Sequence, residues 1–130
     1  MIAVLDVSAA FGLVRGVEKA KSIEDALETF SEIIAPGLFV YEALNAAWKY
    51  AKFTKLERAD AFKIFDDACE FIDVFVDDFD LAAEAFELSL THEHSSYDCF
   101  YLALALESDA SLLTLDKKLL KVAESLGVGY

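Results

Sequence analysis

The chain has 130 residues, 56 % of them apolar, and a formal net charge of −13. That length fits one domain, residues 1–130, with a core large enough to need no staples, and the apolar content excludes extended disorder. The negative charge taken alone argues against a protein that coats a polyanion, and no uncharged apolar run of about 18 residues exists to span a membrane.

The predicted elements alternate. Ile2 to Asp6 reads as a buried strand that stops at a charge. This start lacks a basic region and meets a charge too early for a signal peptide, so the cytoplasm is the expected compartment. A helix pair fills residues 8 to 31, with Ile23, Ala26, Leu27 and Phe30 at helical spacing. Glu32 to Ala35 reads as a short strand ended by Pro36-Gly37. Residues 38 to 52 and 55 to 70 read as helices, the first of them mostly buried, because only Glu42, Asn45, Lys49 and Lys52 interrupt its apolar surface. Phe71 to Val76 is strand-like. Residues 79 to 91 read as a helix with Leu81, Ala82, Ala85, Phe86 and Leu88 on one side. Ser95 to Glu107 reads as a strongly apolar helix, Ser111 to Leu115 as a strand, Lys117 to Leu126 as a helix, and Val128 to Tyr130 as a final short strand. Such alternation implies a parallel sheet covered on both faces, whose ligands bind beyond the carboxyl ends of the strands.

Two cysteines, Cys69 and Cys99, lie in apolar helix-like stretches and read as small buried side chains rather than a disulfide. The eleven basic residues fall in three groups, Arg15 to Lys21, Lys49 to Lys63 and Lys117 to Lys121. Local basic patches therefore coexist with a long acidic flank, which suits a basic partner.

Four carboxylates stand out, and each has an ordinary explanation. Asp6 ends the first strand and is also a good helix N-cap. Glu42 shares one narrow helical stripe with Asn45, Lys49 and Lys52, either a solvated stripe or a polar face looking into a cleft. Asp98 precedes eight apolar residues, Cys99 to Leu106, and Ser95-Ser96-Tyr97-Asp98 matches a capping box. Asp116 follows a strand and fits a cap, yet Lys117 and Lys118 would then sit at the positive end of a helix, which the dipole disfavours. Jointly, strand ends and helix starts share one edge of a parallel sheet, so all four acids can converge. Converging carboxylates raise one another's pKa and call for a cation. An oxygen-only donor set points to Mg²⁺ or Mn²⁺. His92 and His94 are two apart in a loop and read as structural or surface residues. No phosphate loop, nucleophile elbow or dinucleotide fingerprint is present.

Leu5-Asp6-Val7-Ser8, Glu42-Ala43-Leu44-Asn45, the stretch from His94-Ser95-Ser96-Tyr97-Asp98 to Ala105, and Leu113-Thr114-Leu115-Asp116-Lys117-Lys118-Leu119 resemble the four motifs of PIN domains. The likeness is nearest to the VapC toxins of prokaryotic toxin–antitoxin pairs and covers essentially the whole chain. It implies an α/β/α three-layer sandwich around a central parallel sheet of four to five strands. It also implies an Mg²⁺- or Mn²⁺-dependent endoribonuclease that leaves a 5′-phosphate and a 3′-hydroxyl. The family is commonly dimeric and inhibited by a cognate antitoxin. On this resemblance Asp6, Glu42, Asp98 and Asp116 are the catalytic, metal-binding acids, and Ser8 and Thr114 support them or order a water. Lys49, Lys52, Lys117 and Lys118 are candidates for guiding RNA phosphates, as well as for ordinary solvated lysines. Some relatives carry a further acid soon after the fourth motif. Here Lys117, Lys118 and Leu119 stand there, so a second metal is expected only with substrate. The alternatives are a PIN-fold interaction module without chemistry and a nuclease acting on DNA.

Overall fold

The computed structural model describes residues 1–130. Four parallel strands, β1 (Ile2–Leu5), β2 (Glu32–Pro36), β3 (Val74–Val76) and β4 (Ser111–Leu113), form one sheet in the order β3-β2-β1-β4. Seven α-helices accompany it: α1 (Val7–Arg15), α2 (Lys21–Ala26), α3 (Leu38–Phe53), α4 (Arg58–Cys69), α5 (Ala82–His92), α6 (Ser96–Glu107) and α7 (Lys117–Ser125). Short 3₁₀ turns flank α2 and precede α5. No helix is long and apolar enough to cross a membrane.

The strand order explains the layers. From β1 to β2 to β3 the chain steps in one direction along the sheet, and from β3 it returns past β1 to β4. Crossovers between parallel strands are right-handed, so the two directions put their helices on opposite faces. Accordingly α1, α3 and α4 pack together, while α5 packs on α6 and α6 covers β1 and β2. The strand order reverses between β1 and β4, and such a switch point opens a crevice at the carboxyl ends of the two strands. Asp6 and Asp116 follow those two strands.

The core runs through β1, β2, β4 and the helices against them. Ala3, Val4 and Leu5 are wholly buried, as are Leu102, Ala103 and Ala105 of α6. Both cysteines are free, with Cys99 in the core.

Several elements differ from the sequence reading. The last strand stops at Leu113 rather than Leu115, because side-chain oxygens take over the backbone partners there: Leu115 N–H donates to Ser8 Oγ and Asp116 N–H to Thr114 Oγ1. The third strand is only Val74–Val76, and the expected C-terminal strand is a single bridge between Leu112 and Gly129. On α5, Leu81 and Ala85 are buried as expected, but Ala82 and Phe86 are exposed. The largest departure is α3. Its first face is anchored by Phe39, Ala43 and Ala47, yet Tyr41 is 74 % exposed, Trp48 54 % and Phe53 70 %. An almost all-apolar helix thus carries a bare apolar face, because the fold supplies a partner on only one side.

Candidate metal centre

Each acid is held by local chemistry. Asp6 N-caps α1: its Oδ1 accepts from Ala9 N–H at 2.9 Å and from the Ser8 hydroxyl at 2.7 Å, and its Oδ2 accepts from the Thr114 hydroxyl. The Ser8 and Thr114 oxygens lie 3.2 Å apart. Asp116 N-caps α7 through one oxygen, Oδ1, which accepts from Lys118 N–H and Leu119 N–H. The cap and the site are therefore the same residue in both cases, and capping by Asp116 leaves its second oxygen free. Ser8 and Thr114 join the β1–α1 and β4–α7 loops into one hydroxyl web.

Asp98 stands in the first turn of α6, where Ser95 is the N-cap and accepts from Asp98 N–H at 3.5 Å. Only half of the expected capping box forms. The Asp98 carboxylate turns away, and its Oδ2 lies 2.8 Å from His94 Nε2. Glu42 sits on the second turn of α3, whose start is fixed by Asp78: the Asp78 carboxylate accepts from Leu38 N–H at 2.7 Å. Glu42 Oε1 accepts from the hydroxyl of Tyr101, which is fully buried on α6.

The electrostatics follow from this packing. Burial pushes the Asp6 carboxyl up to about 6, against the hydrogen bonds from Thr114, Ala9 and Ser8, and the charge of Asp98 adds to the rise. Burial also raises Glu42, opposed by the Tyr101 hydrogen bond and reinforced by Asp98. Tyr101 is pushed far above its ordinary value by burial and by Glu42, so it stays a donor. None of the four acids has a Lys or Arg within ion-pairing distance.

His94, Asp98 and Asp116 each present a donor atom, and these three atoms lie within 4.8 Å of one another. Asp6 and Glu42 are not part of that tight group; each couples to Asp98 at longer range. A divalent cation suits this chemistry, since the acids are hydrogen-bonded but have no Lys or Arg to offset their mutual repulsion. The residues can hold a divalent cation, with one imidazole nitrogen beside the carboxylate oxygens.

The lysines divide. Lys49 lines a cleft of about 830 Å³ between α1 and α3, together with Ser8, Phe11, Arg15 and Tyr50. Lys117 lines a smaller cleft of about 310 Å³ with Thr114. Lys52 and Lys118 are exposed. The polar stripe on α3 does not face one cleft: Asn45 lines a separate groove with Tyr41, Trp48 and Phe62. Sequence reasoning missed two residues. Tyr101 lies one turn after Asp98 and shares its helix side, a signal visible in the spacing. His94 lies four residues before Asp98, but outside the helix, so no periodicity announces it.

The PIN domain family model matches residues 3–125. Ribonuclease VapC3 of Pyrobaculum aerophilum is 32 % identical over 118 residues, which span 89 % of this chain and 90 % of that protein. The crystal structure of PAE2754 from Pyrobaculum aerophilum aligns with a TM-score of 0.74 at 23 % identity, over 97 % of this chain and 92 % of that one, a likeness of fold. With the family model spanning residues 3–125 and a relative 32 % identical over 89 % of this chain, the chain belongs to the PIN domain family.

Proposed function

We propose that this protein is a divalent-metal-dependent endoribonuclease, the toxin of a toxin–antitoxin pair, acting in the cytoplasm. The observation that carries the reading is the gathering of Asp98 and Asp116 within 4.8 Å, with Asp6 and Glu42 coupled to Asp98 and no Lys or Arg neutralising any of them. An inert interaction module has no use for such a group, because neighbouring carboxylates without a cation repel one another. The relative named Ribonuclease VapC3 supports RNA as the substrate.

In this reading Asp6, Glu42, Asp98 and Asp116 hold the cation. Bound Mg²⁺ or Mn²⁺ supplies an acidified water and charge neutralisation at the phosphate. Asp98 or Asp116 accepts the proton of the attacking water. Thr114 and Ser8 fix both Asp6 oxygens and keep that carboxylate from swinging. Lys49 and Lys117, on the clefts that border Ser8 and Thr114, draw in the RNA backbone, with Lys52 and Lys118 adding charge.

The antitoxin is expected to lay an apolar segment into a groove beside α3, where Tyr41, Trp48 and Phe53 are bare, and to bring an Arg or Lys toward the acids. The expected homodimer is supported by a second apolar surface, Val74, Phe75, Phe79 and Phe86 around the edge strand β3.

The test is cleavage of RNA and of single-stranded DNA with Mg²⁺ or Mn²⁺ by the wild type, Asp6→Asn and Asp98→Asn. RNA cleavage by the wild type alone is expected. Equal activity in all three proteins would sink the assignment, and a preference for DNA would replace the substrate.

A further inference from the structure

We propose that His94 is a direct nitrogen ligand of the catalytic cation, and that it tilts the site toward Mn²⁺ over Mg²⁺. The inference rests on the metal-dependent reading above and deepens it.

Placement comes first. Helix α5 ends at His92, and Glu93 adopts a left-handed backbone with φ 52° and ψ 46°. That reversal is stabilised by His94 N–H, which donates to Ser89 O at 3.2 Å. Ser95 then caps α6. The turn is too tight for the His94 ring to reach solvent freely; its side chain is only 11 % exposed. The ring is instead directed at the first turn of α6, and its Nε2 meets Asp98 Oδ2 at 2.8 Å.

The His94–Asp98 distance suits neighbouring ligands as well as a hydrogen bond. Adjacent donors around an octahedral ion with bonds of about 2.1 Å are separated by about 3 Å. His94 Nε2 and Asp98 Oδ2 already stand at nearly that separation, and the Asp116 donor completes a group of three within 4.8 Å. These three residues come from two separate loops, α5–α6 and β4–α7.

Chemistry then sets the preference. Neutral imidazole is a poor match for Mg²⁺, which favours oxygen and gives up water reluctantly. A nitrogen donor favours transition metals. Mn²⁺ accepts both donor types and keeps the octahedral shape, so one imidazole among carboxylates separates the two ions.

The experiment uses the full chain loaded with Mn²⁺ and pulsed electron paramagnetic resonance, with Mn²⁺ and Mg²⁺ affinities measured by calorimetry. The wild type is expected to show ¹⁴N modulation from a directly bound imidazole, and His94→Leu and His94→Gln to lose it. Both variants should bind Mn²⁺ at least roughly tenfold more weakly, with a much smaller change for Mg²⁺. The Gln side chain can still hydrogen-bond Asp98, so it separates ligation from orientation. Mn²⁺ bound to the wild type without ¹⁴N modulation overturns the inference and leaves the nuclease reading standing. Equal losses for both ions, or full Mn²⁺ affinity in His94→Gln, also overturn it. Failure of the wild type to bind Mn²⁺ overturns both together.

Discussion

Asp6→Asn should stabilise the metal-free protein at neutral pH, although it removes a residue assigned to the site. In the unfolded chain Asp6 ionises near its ordinary value of 3.8, and in the folded protein near 6. As pH rises between those values the unfolded state releases its proton first, so folding is progressively disfavoured; above about 6 the penalty is constant. The difference corresponds to about 3 kcal/mol. Asparagine stays neutral and can still accept from Ala9 N–H and Ser8, while its amide can donate to Thr114 Oγ1. It should therefore recover about 1–3 kcal/mol at pH 7.5, or roughly 4 °C in Tm per kcal/mol for a chain of this size. The gain should shrink as pH falls from 6 toward 3.8 and vanish below that, where Asp6 is protonated in both states. The assay is urea and thermal unfolding of both proteins in chelator from pH 3.5 to 8. Mn²⁺ should reverse the order, since ligand at a thousand times its Kd adds about 4.1 kcal/mol to the protein that binds it. An Asp6→Asn protein less stable than wild type in chelator at pH 7.5 would refute the argument, as would a gain undiminished at pH 4.

Thr114→Val keeps the shape of a buried side chain but leaves Asp116 N–H without its acceptor and Asp6 Oδ2 without its donor. A loss of about 1–3 kcal/mol is expected in chemical denaturation, and an unchanged midpoint would remove the hydroxyl web from the account. Tyr101→Phe removes the donor to Glu42 from a fully buried position; about 1.5–3 kcal/mol should be lost, together with a larger fall in RNA cleavage than in RNA binding. Replacing Lys49, Lys117 and Lys118 by alanine in an Asp98→Asn background should make the salt dependence of RNA binding shallower by about 2 in log–log slope, read by fluorescence anisotropy with single-stranded RNA.

The sheet was legible because strands buried on both faces leave unbroken apolar runs, as in Ile2 to Leu5, Ile33 to Ala35 and Leu112 to Leu113. Helix α6 was legible for the same reason. The parallel alternation located the sheet edge at which β1 and β4 end, where the Ser8 and Thr114 hydroxyls join the loops that carry Asp6 and Asp116. Three things lay outside the reach of a linear pattern. Apolar spacing in α3 could not reveal that Tyr41 and Trp48 face outward, because an exposed apolar face has the same composition as one buried in a core. The end of β4 depends on hydroxyls of Ser8 and Thr114, which are 106 positions apart. His94 depends on a left-handed residue, Glu93, whose conformation no glycine or asparagine signals.

The hydroxyl web has a consequence for when the protein becomes dangerous. Thr114 and Asp116 stand on one side of it and Asp6 and Ser8 on the other, so the centre needs both ends of the chain. During translation at about 5–20 residues per second, the interval from Asp6 to Asp116 is roughly 5–20 s. Helices α1 to α6 can collapse on β1 to β3 in that time, but with β4 missing there is no second wall to the crevice. The crevice is thus incomplete until β4 has been made, and Thr114 and Asp116 can join the web only from that point on.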